Sequence, residues 1–362
     1  MFSKASAILA ARLANQQITA SSFGSAGEIV QYLGAMQAQD FAMAKWAIGL
    51  RVPGLLDADV EAAFNKGEIL RTHVLRPTWH FVSPADIKWM LQLTAPRIKA
   101  LSAYYHRASG LDGRLFKKSG NAIAKALEGN NYLTRTEIQQ VLAKAKIKTE
   151  GLQLTYIMMQ AELDAIICSG PRQGKQFTYA LLEERAPGTK SLYRQEGLAT
   201  LALRYFTTRG PATLNDYATW SGLAVKDAKE GVSLIEEKLH TETIDEKEYY
   251  FGEELAAVAN RTLSKTQATF LMPDYDEYAI SYKDRTELFG ERKSNANTKA
   301  GNPVFYHSLI LNGVAAGTWQ KIITRKQVDV NLTITRKLNK TQHQAVEKAV
   351  KRYLQFVTGR KK

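Results

Sequence analysis

One cysteine in 362 residues, Cys168, leaves no internal disulfide and no cysteine cluster to hold a metal, and it points to a reducing, cytoplasmic setting. Long apolar runs are missing too. Nothing approaches the ~18 to 20 consecutive apolar residues that cross a bilayer, and the mean hydropathy is −0.28, so a membrane-spanning protein is excluded. The opening SKASAILAARLANQQ holds only a short apolar patch, broken by Arg12 and followed by no small-residue cleavage site. It predicts a first helix with Ile8, Leu9 and Leu13 on one face, not a signal peptide. Several chemistries are also absent. There is no glycine-rich phosphate loop of the P-loop or Rossmann kind, no His/Cys metal spacing and no HxE…PCxxC deaminase signature. No helix-hairpin-helix type catalytic lysine or aspartate can be identified. Neither a cofactor nor a metal is expected.

Acidic residues are under-represented, 35 against 49 Lys and Arg, for a net charge of +14 and a pI of about 9.6. That balance marks a binder of polyanions, with nucleic acid foremost. From Lys321 to Lys362 there are twelve basic and two acidic residues, Asp329 and Glu347, a net +10. These charges are interleaved with strand-like and helix-like patterns, which favours contact with a polyanion over a disordered tail. Gly359-Arg360-Lys361-Lys362 is better taken as a solvated end. The apolar share of 45% and charged share of 23% are those of a globular protein, and the length suits two to three domains.

Four helix starts are marked by a Ser or Thr with an acid three residues on: Ser25/Glu28, Ser83/Asp86, Thr134/Glu137 and Thr213/Asp216. The last is the plainest. A short helix from Thr213 to about Ser221, a turn Gly222-Leu-Ala-Val225 and a helix from Lys226 to about Leu239 make a helix-turn-helix. HTETIDEKEYYF then predicts a β-hairpin, the wing of a winged helix. The same order recurs upstream. A helix from Thr134 and another across LQLTYIMMQAELDAI precede a hairpin IICSGPRQGKQFTYAL with Pro171 and Gly174 in its turn. Before that, helices near 5–15, 26–37, 41–49 and 57–66 precede a hairpin of ILRTHVL and PTWHFV. After about Ser264 the runs ATFLMP, EYAISYK, VFYHSLILNG, AAGTWQKIIT and VDVNLTITR suggest a small β-barrel or strongly curved sheet, closed by the helix HQAVEKAVKRYLQFV. Residues 286–302 read as a long exposed loop. The expected fold is α+β: winged helices over 1–115 (with the following helix), 116–192 and 193–263, then a C-terminal β-barrel with its basic helix over 264–362.

The strings LGAMQAQDFAMAKWAIGLR, RTHVLRPTWHFVSPAD, PDYDEYAISYKDR and NGVAAGTW fall in the order seen in the winged-helix DNA-binding family that includes the AlkZ and YcaQ type DNA glycosylases, which this chain strongly resembles. The resemblance covers nearly the whole chain. It implies three tandem winged helices and a β-barrel around a concave, basic DNA channel. The family's catalytic signature is Gln-x-Gln in the AlkZ-like branch and Gln-x-Asp in the YcaQ-like branch. Gln37 and Gln39, flanking Ala38, match the former, whose members excise bulky N7-alkylated purines and in some cases unhook interstrand crosslinks. A monomeric DNA repair glycosylase acting on alkylated double-stranded DNA is the implied function. A non-enzymatic winged-helix DNA-binding protein, such as a transcriptional regulator, is the alternative from the residues alone.

Helical spacing from Ser25 puts Val30, Leu33 and Gln37 on one face, with Gln37 at a helix C-terminus and Gln39 past its last turn. Two neutral amides do not titrate usefully, but they can hold a water. An N7-alkylguanine is already a cationic leaving group, so orienting the water supplies the remaining catalysis. A neutral purine would need a protonating acid that this site is expected to lack. Bonding of free helix-end carbonyls is the competing role for both glutamines. Asp40 is a stronger base nearby. Trp46 and Trp79 are candidates for stacking on a flipped base, or core; His80 is a pocket contact or a satisfied structural histidine. Arg71, Arg76, Arg172 and Lys175 on the hairpins are candidates for DNA contact, or solvated surface. Asp276, Tyr278, Tyr282, Asp284 and Arg285 match a family motif, and a buried polar network explains them at least as well as catalysis.

Overall fold

Three of the four Ser/Thr-to-acid pairs cap helices by exchanging bonds. The Glu28 N–H donates to Ser25 Oγ at 3.2 Å while Glu28 accepts from the Ser25 N–H at 2.9 Å. Thr134 with Glu137 and Thr213 with Asp216 repeat the exchange. At the fourth, the Ser83 hydroxyl donates to Asp86 at 2.8 Å, Asp86 also accepts from Trp89 Nε1, and the helix begins only at Ile87. The computed structural model describes residues 5–253, 268–290, 307–323 and 328–360.

The chain forms two compact units, one of residues 1–61, 198–220 and 224–362, the other of 62–197 with 221–223. The first unit opens with α1 (Ala5–Asn15), α2 (Ala26–Leu33), a short strand β1 (Ala35–Gln37) and α3 (Phe41–Arg51); α4 (Asp57–Lys66) leads into the second. There, β2 (Leu70–His73) and β3 (Trp79–Val82) pair antiparallel with Arg71 opposite Phe81 and His73 opposite Trp79. The long α5 (Ile87–Ala108) follows, then α6 (Gly113–Leu127), β4 (Leu133–Thr134), α7 (Arg135–Lys144), α8 (Gln153–Leu163), β5 (Ile167–Ser169), β6 (Thr178–Leu181) and α9 (Leu182–Arg185). Their sheet runs β4-β6-β5. Ile123, Leu127, Ile138, Leu142 and Ile157 form one dry core, and burying such side chains is the main stabilising term.

Chain order then returns to the first unit through α10 (Arg194–Arg209). The expected helix-turn-helix is α11 (Leu214–Ser221) and α12 (Val225–Ser233), followed by the hairpin β7 (Leu239–Ile244) and β8 (Lys247–Gly252). The second helix stops six residues early, because Glu236–Lys238 tightens into a 3-10 turn ahead of β7. Asp245 and Glu246 both take positive φ, the backbone of a two-residue hairpin turn.

The C-terminal sheet is antiparallel in the order β12-β11-β10-β9, built from β9 (Thr269–Leu271), β10 (Ser308–Leu311), β11 (Val314–Ile323) and β12 (Val328–Ile334). It is a curled half-barrel of four strands among the described residues, the strongly curved sheet of the two expected alternatives. A register shift between Leu309 and Ile310 bends it. Gly317 lets β12 approach so closely that any Cβ there would run into the Thr333 carbonyl. The basic C-terminal helix (Lys340–Thr358) covers the sheet with Val346, Ala349, Tyr353, Leu354 and Phe356.

EYAISYK is helical over Glu277–Ile280 and not a strand, because Asp276 caps it by accepting from the Tyr278 N–H at 2.8 Å. Of the expected loop 286–302, Thr286–Phe289 is a short helix and 291–302 lie outside the described residues.

Candidate active site

The Gln-x-Gln segment is not helical. Gly34 at φ +77 ends α2 and turns the chain into β1, which places Gln37 on a strand, half-buried, and Gln39 exposed beyond it. A side chain at Gly34 would be strained, and its Cβ would lie 2.7 Å from the Arg204 side chain. Ala38 between the two glutamines is fully buried.

A buried ion pair holds this strand. The Arg209 guanidinium donates to the carbonyls of Leu33 and Ala35, both at 2.8 Å, and to Glu277 at 2.9 Å. Glu277 in turn accepts from the Gln37 N–H at 2.9 Å, from Trp220 Nε1 at 2.9 Å and from Ser281 Oγ at 2.7 Å. Both charges are wholly buried, so the pair survives only because each is surrounded by partners. Three backbone bonds, at Leu33, Ala35 and Gln37, thus fix β1 and the turn into it.

Downstream, Asp40 caps α3 by accepting from the Met43 N–H at 3.0 Å. At the other end of α3, Arg51 donates to both carboxylate oxygens of Asp276 at 2.8 Å and to Gln16 at 2.9 Å, again fully buried. Tyr278 OH donates to the Gly313 carbonyl, Tyr282 OH to the Arg209 carbonyl, and Arg285 to the Ala279 carbonyl. Asp284 pairs with Lys247 at the surface, and that cation pulls its carboxyl down to about 2. The motif PDYDEYAISYKDR is the frame to which the glutamine segment is tied.

Beside Asp40 lies a pair that the sequence did not single out. Asp274 Oδ2 is 3.3 Å from His307 Nε2, an approach that lacks hydrogen-bond alignment, and the imidazole packs on Trp319 at 4.7 Å. Burial, with the negative charge of Asp40 second, pushes the Asp274 carboxyl up to about 7. Burial also lowers His307, against the pull of Asp40. Asp274 stood inside the quoted motif, but its burial and its neighbours come from distant parts of the chain.

Trp46 is core. It is 1% exposed, its indole N–H donates to the Leu271 carbonyl at 2.7 Å, and its ring meets Tyr353 and Phe356, each at 5.1 Å, so it offers no face to a base.

In the second unit, His80 is fully buried. Its Nδ1 lies 2.9 Å from the Thr78 carbonyl and its Nε2 3.3 Å from Arg76, which assigns the proton to Nδ1. The buried Arg71 guanidinium is sandwiched between the half-buried rings of Trp79 at 4.3 Å and Phe177 at 4.7 Å. Arg172 stacks on the other contact of Phe177 at 4.8 Å, while Lys175 is exposed at the hairpin turn. Another exposed feature escaped the sequence patterns: Ile322 and Ile323, at 44% and 69% exposure, end the described part of β11 beside Lys321.

No helix of the described residues is long and apolar enough to cross a membrane, and none of their His, Cys, Asp and Glu cluster as a metal site.

A paired-glutamine strand clamped by buried ion pairs, on this α+β frame, defines a class. The model of the DNA glycosylase AlkZ-like family matches residues 30–356, and the chain belongs to that family. It is a DNA glycosylase, an enzyme acting on N-glycosyl bonds. Among its relatives, a Streptomyces sahachiroi protein named interstrand DNA cross-link repair glycosylase is 25% identical over 331 residues, 86% of each chain. The solved structure of the Streptomyces sahachiroi DNA glycosylase AlkZ shares the fold, with a TM-score of 0.80 at 20% identity over 98% of this chain and 96% of that one.

Proposed function

We propose that this enzyme hydrolyses the N-glycosidic bond of N7-alkylated purines in double-stranded DNA, bulky adducts and interstrand crosslinks included, with a water held by Gln37 and Gln39. The observation that carries the reading is the Arg209–Glu277 clamp. Two wholly buried charges are spent on fixing the backbone that bears the two amides, and a rigid frame is what positioning a water requires. The name of the Streptomyces relative supports the crosslink substrate.

The cationic leaving group departs with the electron pair of its glycosidic bond and becomes neutral, so the site's work is to orient water against an oxocarbenium-like sugar. A damaged nucleotide is easier to flip than a sound one, which adds selectivity. We take 1–115, 116–192 and 193–263 as winged helices and 264–362 as the barrel-like part, a division supported by the helix-helix-hairpin order of α7, α8, β5/β6 and of α11, α12, β7/β8. Lys175, Arg172 and Arg76 are its DNA-facing basic residues, with Arg71 and Trp79 in the stack that shapes the hairpin and His80 a buried structural histidine. Exposed Ile322 and Ile323 supply an apolar wedge of the kind that enters between base steps. The enzyme acts as a monomer.

The test is a single-turnover excision assay on a duplex with one N7-methylguanine, wild type beside Gln37→Ala/Gln39→Ala. Free base is expected from the wild type, with DNA affinity kept and excision lost in the variant. Excision by the variant at the native rate refutes the assignment.

A further inference from the structure

Two amides can hold a water but cannot take its proton, and hydrolysis leaves that proton to be placed. We propose that the Asp274 carboxylate, with His307 as its positioning residue, is the general base that receives it; the inference rests on the glutamine-held water proposed above.

Two observations tie the pair to the glutamine segment. Asp40 follows Gln39 directly, and its charge is felt by both Asp274 and His307. From the other side, Glu277, three residues after Asp274, is bonded to the Gln37 N–H. The Asp274 segment is itself pinned: Trp46 Nε1 donates to the Leu271 carbonyl at 2.7 Å and Trp319 Nε1 to the Met272 carbonyl at 2.9 Å, just before Pro273. Tyr275, the next residue, takes φ +57, so the carboxyl is presented from a sharply turned backbone held on both sides. Its Oδ1 is buried and has no hydrogen-bond partner among the described residues, while Oδ2 faces His307.

The acids around it are committed to other partners. Glu277 and Asp276 are locked in ion pairs with Arg209 and Arg51. Tyr353, from the C-terminal helix against Trp319, is pushed up by burial and by Asp57 and Asp40, and stays a neutral phenol. Asp40 is spent as a helix cap. Burial disfavours the charged form of His307. A base poised near the operating pH is the most efficient one, and burial next to a like charge is how a carboxylate becomes one.

In the step itself, the water oxygen bonds to C1′ of the deoxyribose and its proton passes to an Asp274 oxygen. The C1′–N9 bond breaks, and its electron pair leaves with the base and cancels the positive charge of the alkylated ring. The products are a C1′ hydroxyl, a neutral base and a protonated Asp274, which returns its proton to solvent. No other reactant is needed.

The experiment is a pH profile of single-turnover excision from pH 5 to 9 on the N7-methylguanine duplex, whose leaving group needs no proton. The wild-type rate is expected to rise through about pH 7 to a plateau. Asp274→Asn should lower that plateau by about a hundredfold or more, flatten the profile and leave DNA affinity in place. Asp40→Asn, which still caps the helix, should move the midpoint to lower pH by removing a repelling charge. His307→Gln should shift the midpoint and keep the rising limb. A wild-type rate independent of pH, or Asp274→Asn within threefold of wild type, overturns the proposal. If Gln37→Ala/Gln39→Ala abolishes excision while Asp274→Asn does not, the general base alone is refuted. If the wild type releases no base, the parent reading falls with it.

Discussion

Arg209→Met separates the two charges that hold the glutamine strand. The variant keeps a long side chain and strands Glu277, which is 1% exposed, without its cation. Removing one partner of a buried ion pair costs about 3 to 5 kcal/mol. Here the lower end applies, because Gln37 N–H, Trp220 Nε1 and Ser281 Oγ still donate to the carboxylate. The carbonyls of Leu33 and Ala35 lose their donor as well. At about 2 to 4 °C per kcal/mol for a unit of this size, the melting temperature should fall by about 10 °C. The loss is that of an uncompensated buried charge, which protonation relieves, so it should be smaller at low pH than at pH 8. Adding Glu277→Gln should recover about 2 kcal/mol, since it removes the uncompensated charge. Circular dichroism melts at the two pH values, with excision rates alongside, are the assay. Excision should drop more than DNA affinity, because the strand loosens while the rest of the protein persists. A variant melting within 2 °C of wild type, or a double variant less stable than the single one, would refute the account of the clamp.

Asp274 links stability to pH. Its carboxyl is raised from 3.8 to about 7 in the folded protein, so folding disfavours the ionised form, and stability falls as pH rises between about 4 and 7 before levelling. Asp274→Asn should be more stable than wild type at pH 8 and equal to it near pH 4, as urea denaturation at both values would reveal. Lys175 is exposed and adds its charge to a basic protein. Lys175→Ala should weaken binding to all DNA sequences alike and lower the slope of log affinity against log salt by about 1; an unchanged slope in a fluorescence titration places it away from phosphate.

Much of the local architecture was legible. Reciprocal side-chain bonds are decided within four residues, so the caps at Ser25, Thr134 and Thr213 formed as their spacing predicts. Short-range signals failed where two of them competed. The apolar spacing over 26–37 extends a helix through Gln37, yet Gly34 adopts φ +77 and the following residues go extended. Ser83 satisfied Asp86 and not the helix N–H groups. EYAISYK alternates like a strand, but Asp276 capped a helical turn through it.

Determined by sequence alone were the α+β class, the basic character, the lack of any internal disulfide, and the Gln37-Ala38-Gln39 motif with its family resemblance. These are properties of composition and of neighbours along the chain. Only the tertiary structure decided what surrounds that motif. Arg209 and Glu277 are separated by 68 residues and Gln37 and Glu277 by 240, and no periodicity announces a pair so distant. The same holds for Asp274. Its place in PDYDEYAISYKDR is visible in the sequence, but a carboxyl titrating near neutral pH requires burial and the charge of Asp40, and both are set by how the chain packs.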